Sequence, residues 1–223
     1  MLFDLRGKRR RTVQITYLLL AFLMAAGLIG AGVGSGVSGG IFDLFTGGSG
    51  KSTADKTVEK RIKAAEARLR ANPKDQAALA TIARSHYQLA SVSVDRKTNK
   101  FDADGRKELA AASTAWKRYL ALDPKKPDAS LAAVMLVAYS KPGLNQPAEA
   151  ADTAEILAAS ANKQQKPQAY LRLTACATLA GQTRKATLAA QQVMESVPKD
   201  QKKNARDSVA QAKQPQTAAQ LCS

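Results

Sequence analysis

Residues Val13 to Val33 read VQITYLLLAFLMAAGLIGAGV, a run of 21 residues without a charge. As an α-helix such a run spans roughly 30 Å, the thickness of a bilayer's hydrocarbon core. The chain is therefore expected to be a single-pass cell-membrane protein with a transmembrane helix over residues 13–34. Arg6, Lys8, Arg9, Arg10 and Arg11 crowd the N-terminal side of the run, and the next positive charge is Lys51. Close-range Lys and Arg stay on the cytoplasmic side, so residues 1–12 are expected inside and everything beyond residue 35 outside. A cleaved signal peptide is the competing reading. It is disfavoured because the run exceeds a typical signal core and no A-x-A site follows it. Ala26, Gly30 and Gly34 are spaced four apart, as in membrane helices that self-associate. The same residues also belong to a generally glycine-rich exit from the helix.

Residues 35–56 read as a linker. GSGVSGG and TGGSG are flexible by composition. Between them Ile41, Phe42, Leu44 and Phe45 form a short apolar patch, suited either to the outer headgroup layer or to packing on the following domain. The string Gly47-Gly48-Ser49-Gly50-Lys51-Ser52 has part of a phosphate-binding loop, but Phe45 stands where the first glycine is required and no strand precedes it. Asp102-Ala103-Asp104-Gly105 likewise fails as a calcium loop. In that register Lys100 takes the first ligand position and Ala111 the last.

From Thr57 to Lys213 the sequence is rich in Ala, Leu, Lys and Gln with helical periodicity, and no stretch alternates with period two. Val58, Ile62, Ala65 and Leu69 share one face of a first helix. Asp75 is placed to cap the next, with Leu79, Ile82, Ala83, His86 and Leu89 on its apolar stripe. Further helices are expected near 106–122, 128–140, 148–161, 167–180, 183–196 and 200–213, leaving 214–223 as a C-terminal tail. The fold class is all-α. The 17 residues from Ser91 to Lys107 are polar and read either as an appendage or as longer helices joined by a polar turn.

Repeat spacing organises these helices. Ala112, Trp116 and Pro124 recur 74 residues later as Ala186, Ala190 and Pro198, with Tyr170 and Leu173 in the helix before. Leu79, Ile82, Ala83, Tyr119, Asn72-Pro73-Lys74-Asp75 and Leu122-Asp123-Pro124 complete the pattern. A middle unit is carried by Leu131, Val134, Met135, Ala138, Ala150, Ala154 and Leu157. In these residues the chain resembles the tetratricopeptide repeat (TPR) family. It departs from the pattern at Ala190, where an aromatic is usual, at Asn162, where Pro is usual, and at Thr174. The resemblance implies a TPR-like α-solenoid of about three hairpins over 57–213, with a leading and a trailing capping helix. Each pair is too small to bury a core alone, so the units must stack.

The resemblance also implies a groove lined by the first helix of each pair, suited to an extended or helical peptide. By position its residues are Arg84, Tyr87 and Gln88, then Leu136 and Tyr139, then Gln168 and Leu171. The alternative for the two tyrosines is plain inter-repeat packing. Trp116 and Tyr119 are read as core, and His86 as a core or boundary residue, since no second His or Cys lies near it.

The chain has two cysteines, Cys176 and Cys222, which excludes a disulfide-framework fold and a Cys-rich zinc site. Outside the cytoplasm the two are able to oxidise and tie the tail to the last unit. The alternative is one buried and one loose thiol. With one histidine and no pairable catalytic group, no enzyme activity, cofactor or metal is expected. The function expected is a membrane-tethered scaffold that binds a protein or peptide. The alternative rests on charge: 34 Lys and Arg against 18 Asp and Glu give a net +16, which favours anionic polymers, lipid headgroups or nucleic acid. Nucleic acid is disfavoured because no aromatic-interleaved basic stripe is present.

Overall fold

A computed structural model describes residues 53–95 and 97–223. The proposed membrane segment 13–34, the small residues Ala26, Gly30 and Gly34, and the linker up to residue 52 lie outside the described residues. Among the described residues no helix is long and apolar enough to cross a membrane.

The described chain is mostly helical: α1 (Thr53–Ala71), α2 (Gln76–Ser91), α3 (Ala103–Leu120), α4 (Ala129–Tyr139), α5 (Pro147–Ser160), α6 (Lys166–Leu179), α7 (Thr183–Ser196), α8 (Lys202–Ala212) and α9 (Pro215–Leu221). Helix α1 starts four residues before the expected Thr57, and α9 lies in what the sequence suggested was a tail. The stripe Val58, Ile62, Ala65 and Leu69 is buried as its spacing requires. Aspartates set three of the helix starts. Asp75 accepts a hydrogen bond from the Ala78 N–H (2.9 Å), Asp102 from Gly105 (2.7 Å) and Asp128 from Leu131 (3.0 Å). Each satisfies a donor that the first turn leaves unpaired. Helices α5, α6 and α9 instead carry Pro within their first two positions, where no N–H is needed.

Between α2 and α3 the polar insertion is not simply longer helices joined by a polar turn. It forms a two-stranded antiparallel ladder, β1 (Val94–Asp95) and β2 (Lys100–Phe101), with Val94 opposite Phe101. Asp95 accepts hydrogen bonds from the Lys97 and Thr98 N–H groups in the turn, and Asn99 takes a positive φ of 51°. Asn tolerates that conformation better than most side chains. Phe101 is buried, and its N–H donates to the Pro142 carbonyl at 3.3 Å. The insertion is thus fastened to the α4–α5 turn.

Helices pack as successive neighbours: α2 on α3, α4 on α5, α5 on α6 and α6 on α7, with α2 also meeting α4. One continuous core runs from Ala65 and Leu69 through Leu79, Leu109, Trp116, Leu131 and Met135 to Leu173 and Cys176. Trp116 and Tyr119 stack with ring centroids 5.3 Å apart. The Tyr119 hydroxyl accepts from the Asp128 N–H at 3.0 Å, so the aromatic pair also fixes the start of α4.

Two tight connections constrain the array. Gly181, between α6 and α7, has φ 68°, a conformation that disfavours other residues. Gly143, in the α4–α5 turn, has no space for a side chain. A Cβ there would lie 2.3 Å from the Ala138 carbonyl oxygen and 3.2 Å from Leu109 Cδ1. The first neighbour is backbone and cannot rotate away. Gly143→Ala is therefore expected to lower unfolding stability by about 1–3 kcal/mol, as overpacking of a tight site does. A urea-denaturation midpoint equal to that of the parent chain would refute this.

Candidate partner-binding surface

The surface expected from the sequence begins on α2. Arg84 is exposed, yet it is committed: its Nη2 donates to Asp128 Oδ2 and to Ser130 Oγ, both at 2.6 Å. Ser130 in turn donates to Asp128 Oδ1 at 2.6 Å. Burial alone would push the Asp128 carboxyl up. The bonds from Ser130, the Leu131 N–H and Arg84 outweigh it and hold the carboxyl down at about 2, against an ordinary value of 3.8. Gln88 is exposed and accepts a hydrogen bond from Arg61 of α1 at 3.3 Å. Tyr87 is half-buried between them, and burial raises its hydroxyl pKa. Arg84 and Gln88 thus join α2 to its neighbours on both sides, with Tyr87 between.

A depressed carboxylate carries a definite pH dependence. Asp128 contributes stability that is fully present above its unfolded value near 3.8 and is lost as pH falls through about 2. Asp128→Asn keeps a capping oxygen but loses the charge that Arg84 meets, so its cost at neutral pH is expected to be about 1–2 kcal/mol. The variant should lose much less stability than the parent between pH 4 and pH 2. Parallel acid dependence of the two chains would show that Asp128 has no such role.

On α4 the structure corrects the sequence. Leu136 is 1 % exposed and Tyr139 2 % exposed, so neither presents a side chain to a partner. Tyr139 shares a hydrogen bond with Ser113 Oγ of α3 at 2.9 Å, and burial pushes its hydroxyl up to about 12. The cause is that LAAVMLVAY is apolar all round, and a helix of that kind is buried on most sides. The outward residues are Ser130, Ala133 and Val137, a stripe the positional analogy missed, and Val137 is 37 % exposed. Their i, i+3, i+7 spacing places them on one face. Arg84 reaches Ser130 across the α2–α4 boundary, so the start of this stripe meets α2 at Arg84.

On α6, Gln168 is exposed and Leu171 half-buried. Both border a small cavity of 220 Å³ shared with Val193 and Val197 at the end of α7 and with Asn204 and Ser208 of α8. Farther along, Leu171, Ala175 and Leu179 pack against Ala212 of α8 and against Ala218 and Leu221 of α9. The third part of the expected groove is therefore partly covered, at Leu171 but not at Gln168, by α8 and α9. Cys176 and Cys222 are bonded as a disulfide, with Cα atoms 5.1 Å apart.

A second concavity was not foreseen. Helices α5, α6 and α7 leave an open cleft of about 590 Å³ lined by Ala159, Tyr170, Leu173 and Ala189, with Leu188 at 53 % exposure. Lys185 at its edge is paired with Asp152 (2.6 Å) and Glu155 (2.8 Å) of α5. The sequence signal was the string of alanines, Ala186, Ala189 and Ala190, in the helix where the first unit carries Trp116 and Tyr119. His86, read as a boundary residue, is half-buried with Nδ1 2.7 Å from Glu108 Oε2. Among the described residues no group of His, Cys, Asp and Glu is arranged to hold a metal ion.

Comparison with protein-family models, with curated proteins and with solved structures finds no match.

Proposed function

We propose that the chain is a membrane-tethered, non-enzymatic scaffold: a TPR-like α-solenoid that binds a protein or peptide partner, held outside the cell membrane by the helix over residues 13–34. The observation that carries this reading is the relation between alternate helices. Arg84 of α2 ties to Asp128 at the start of α4, Lys117 of α3 to Glu149 of α5 at 3.0 Å, and Lys185 of α7 to Asp152 and Glu155 of α5. Each tie joins a helix to its counterpart in the next hairpin, which is how stacked hairpin repeats are arranged. Exposed ion pairs of this sort add little stability. Their value here is that they mark the register of stacking. The extracytoplasmic orientation is supported by the basic cluster before the membrane segment, and a disulfide is at home in an oxidising compartment.

The recognition surface in this reading is Tyr87 and Gln88 on α2 with Ala133 and Val137 on α4. A partly apolar strip with a tyrosine and few free charges suits a peptide laid across two helices. The test is a photo-crosslinking residue at Val137 in the full chain in intact membranes. A captured protein whose yield falls at least tenfold in the Tyr87→Ala chain is the expected result. Recovery of only lipid or nucleic acid, with capture falling steeply as salt is added, would replace the scaffold by an anion-binding surface.

A further inference from the structure

We infer that the face of α6 formed by Leu171, Ala175 and Leu179 is a docking site for a short helix, that α9 is its resident occupant, and that the Cys176–Cys222 disulfide keeps it in place. This deepens the groove reading at its third unit. The face belongs to the helix that the repeat pattern assigns to the groove, and α9 lies on it with Ala218 buried and Leu221 half-buried. Among the described residues no side-chain hydrogen bond or ion pair joins α9 to α6 or α8. Its polar contacts are internal, such as the Ala218 N–H to the Gln214 carbonyl at 2.8 Å and Ser223 Oγ to the Gln220 carbonyl. The seat is therefore a few apolar contacts and one covalent bond.

That balance makes the covalent bond decisive. Helix α9 has seven residues, too short to persist alone in water. The area buried by one alanine, one half-buried leucine and a cysteine is small against the entropy of ordering the segment. The segment is held because Cys222 is fixed to Cys176 in the last third of α6. Reduction by a dithiol transfers two electrons and two protons to the bridge. Two thiols form on this chain, and the dithiol becomes a disulfide. No other covalent bond changes, yet the occupant keeps only its backbone link to α8, and Leu171, Ala175 and Leu179 are uncovered when it lifts away.

Both sulfurs are buried, with Cys176 0 % and Cys222 3 % exposed. Exchange must therefore await fraying of α9, which few apolar contacts hold. The device is closed under ordinary oxidising conditions and opens only where a reductant is present.

The experiment is amide hydrogen exchange on the full chain in detergent, oxidised and dithiothreitol-reduced, with full-length Cys222→Ser alongside. In the reduced chain and in Cys222→Ser, amides of residues 217–222 should exchange at least tenfold faster than in the oxidised parent, and by a larger factor than those of α4 and α5. Unchanged protection of α9 would show that packing, not the bridge, holds it. These readings separate the two claims: tail release with no partner captured at Val137 refutes the scaffold and leaves the latch, and the converse result does the opposite.

Discussion

Trp116→Ala is expected to cost about 3–5 kcal/mol of unfolding stability, the range for removing a buried large aromatic side chain. The side chain is 1 % exposed and lies in the one core that joins the hairpins. Its removal takes away the surface on which Tyr119 stacks, and Tyr119 holds the Asp128 N–H at the start of α4. The loss should therefore reach the second hairpin. With total stabilities of roughly 5–15 kcal/mol for domains in general, the variant stands near the limit of folding. Urea denaturation followed by far-ultraviolet circular dichroism checks the magnitude. A loss below about 1 kcal/mol would mean that Trp116 packs on its own hairpin only. Trp116→Phe should recover a substantial part of the loss, because it refills much of the cavity.

The second large effect is expected from the disulfide. Cys176 and Cys222 are 46 residues apart, and closing a loop of that size in the unfolded chain is worth roughly 4 kcal/mol on the chain-entropy account. Reduction should lower the denaturation midpoint by a corresponding amount. The double variant Cys176→Ser, Cys222→Ser should fall to about the stability of the reduced parent, since both lack the same cross-link. Stability unchanged by reduction would show that the loop is already restricted in the unfolded ensemble. The loss should centre on α6 to α9, because α2 to α5 lie outside the closed loop.

How much of this was legible in the sequence depended on how one-sided each helix is. On α1 and α2 the apolar residues form a single stripe, and Val58, Ile62, Leu69, Leu79 and Ile82 are buried where periodicity placed them. On α4 no stripe exists to be phased, so the outward face could not be read. Leu136 and Tyr139 were assigned to the groove by analogy and turned out to be core. Arg84 was legible as an exposed cation, but Asp128 is 44 residues away, and only tertiary structure shows that the two meet. Helix α9 was missed because seven residues, PQTAAQL, are too few for a period to register. Pro215, at the position that starts a helix, was the available clue. The β1–β2 ladder fell below detection for the same reason: two paired residues per strand carry no alternation.

The candidate site was less legible than the fold. Burial of a stripe is dictated by composition along one helix. A recognition surface depends on which neighbours cover it, and here α9 covers the face of α6 that the repeat pattern assigned to the groove. The pairing of Cys176 with Cys222 was one of two readings open to the sequence, and the structure contains the bond.

Hydrogen exchange on the oxidised full chain tests the central claim, that each hairpin's apolar face is covered by its neighbours. If so, the interior helices α4 and α5 should hold the slowest amides, on the order of tenfold or more slower than those of α1 and α8 at the ends. Amides of α4 that exchange as fast as those of α8 would mean that the hairpins open independently, and the stacked array, with the surface built on it, would have to be abandoned.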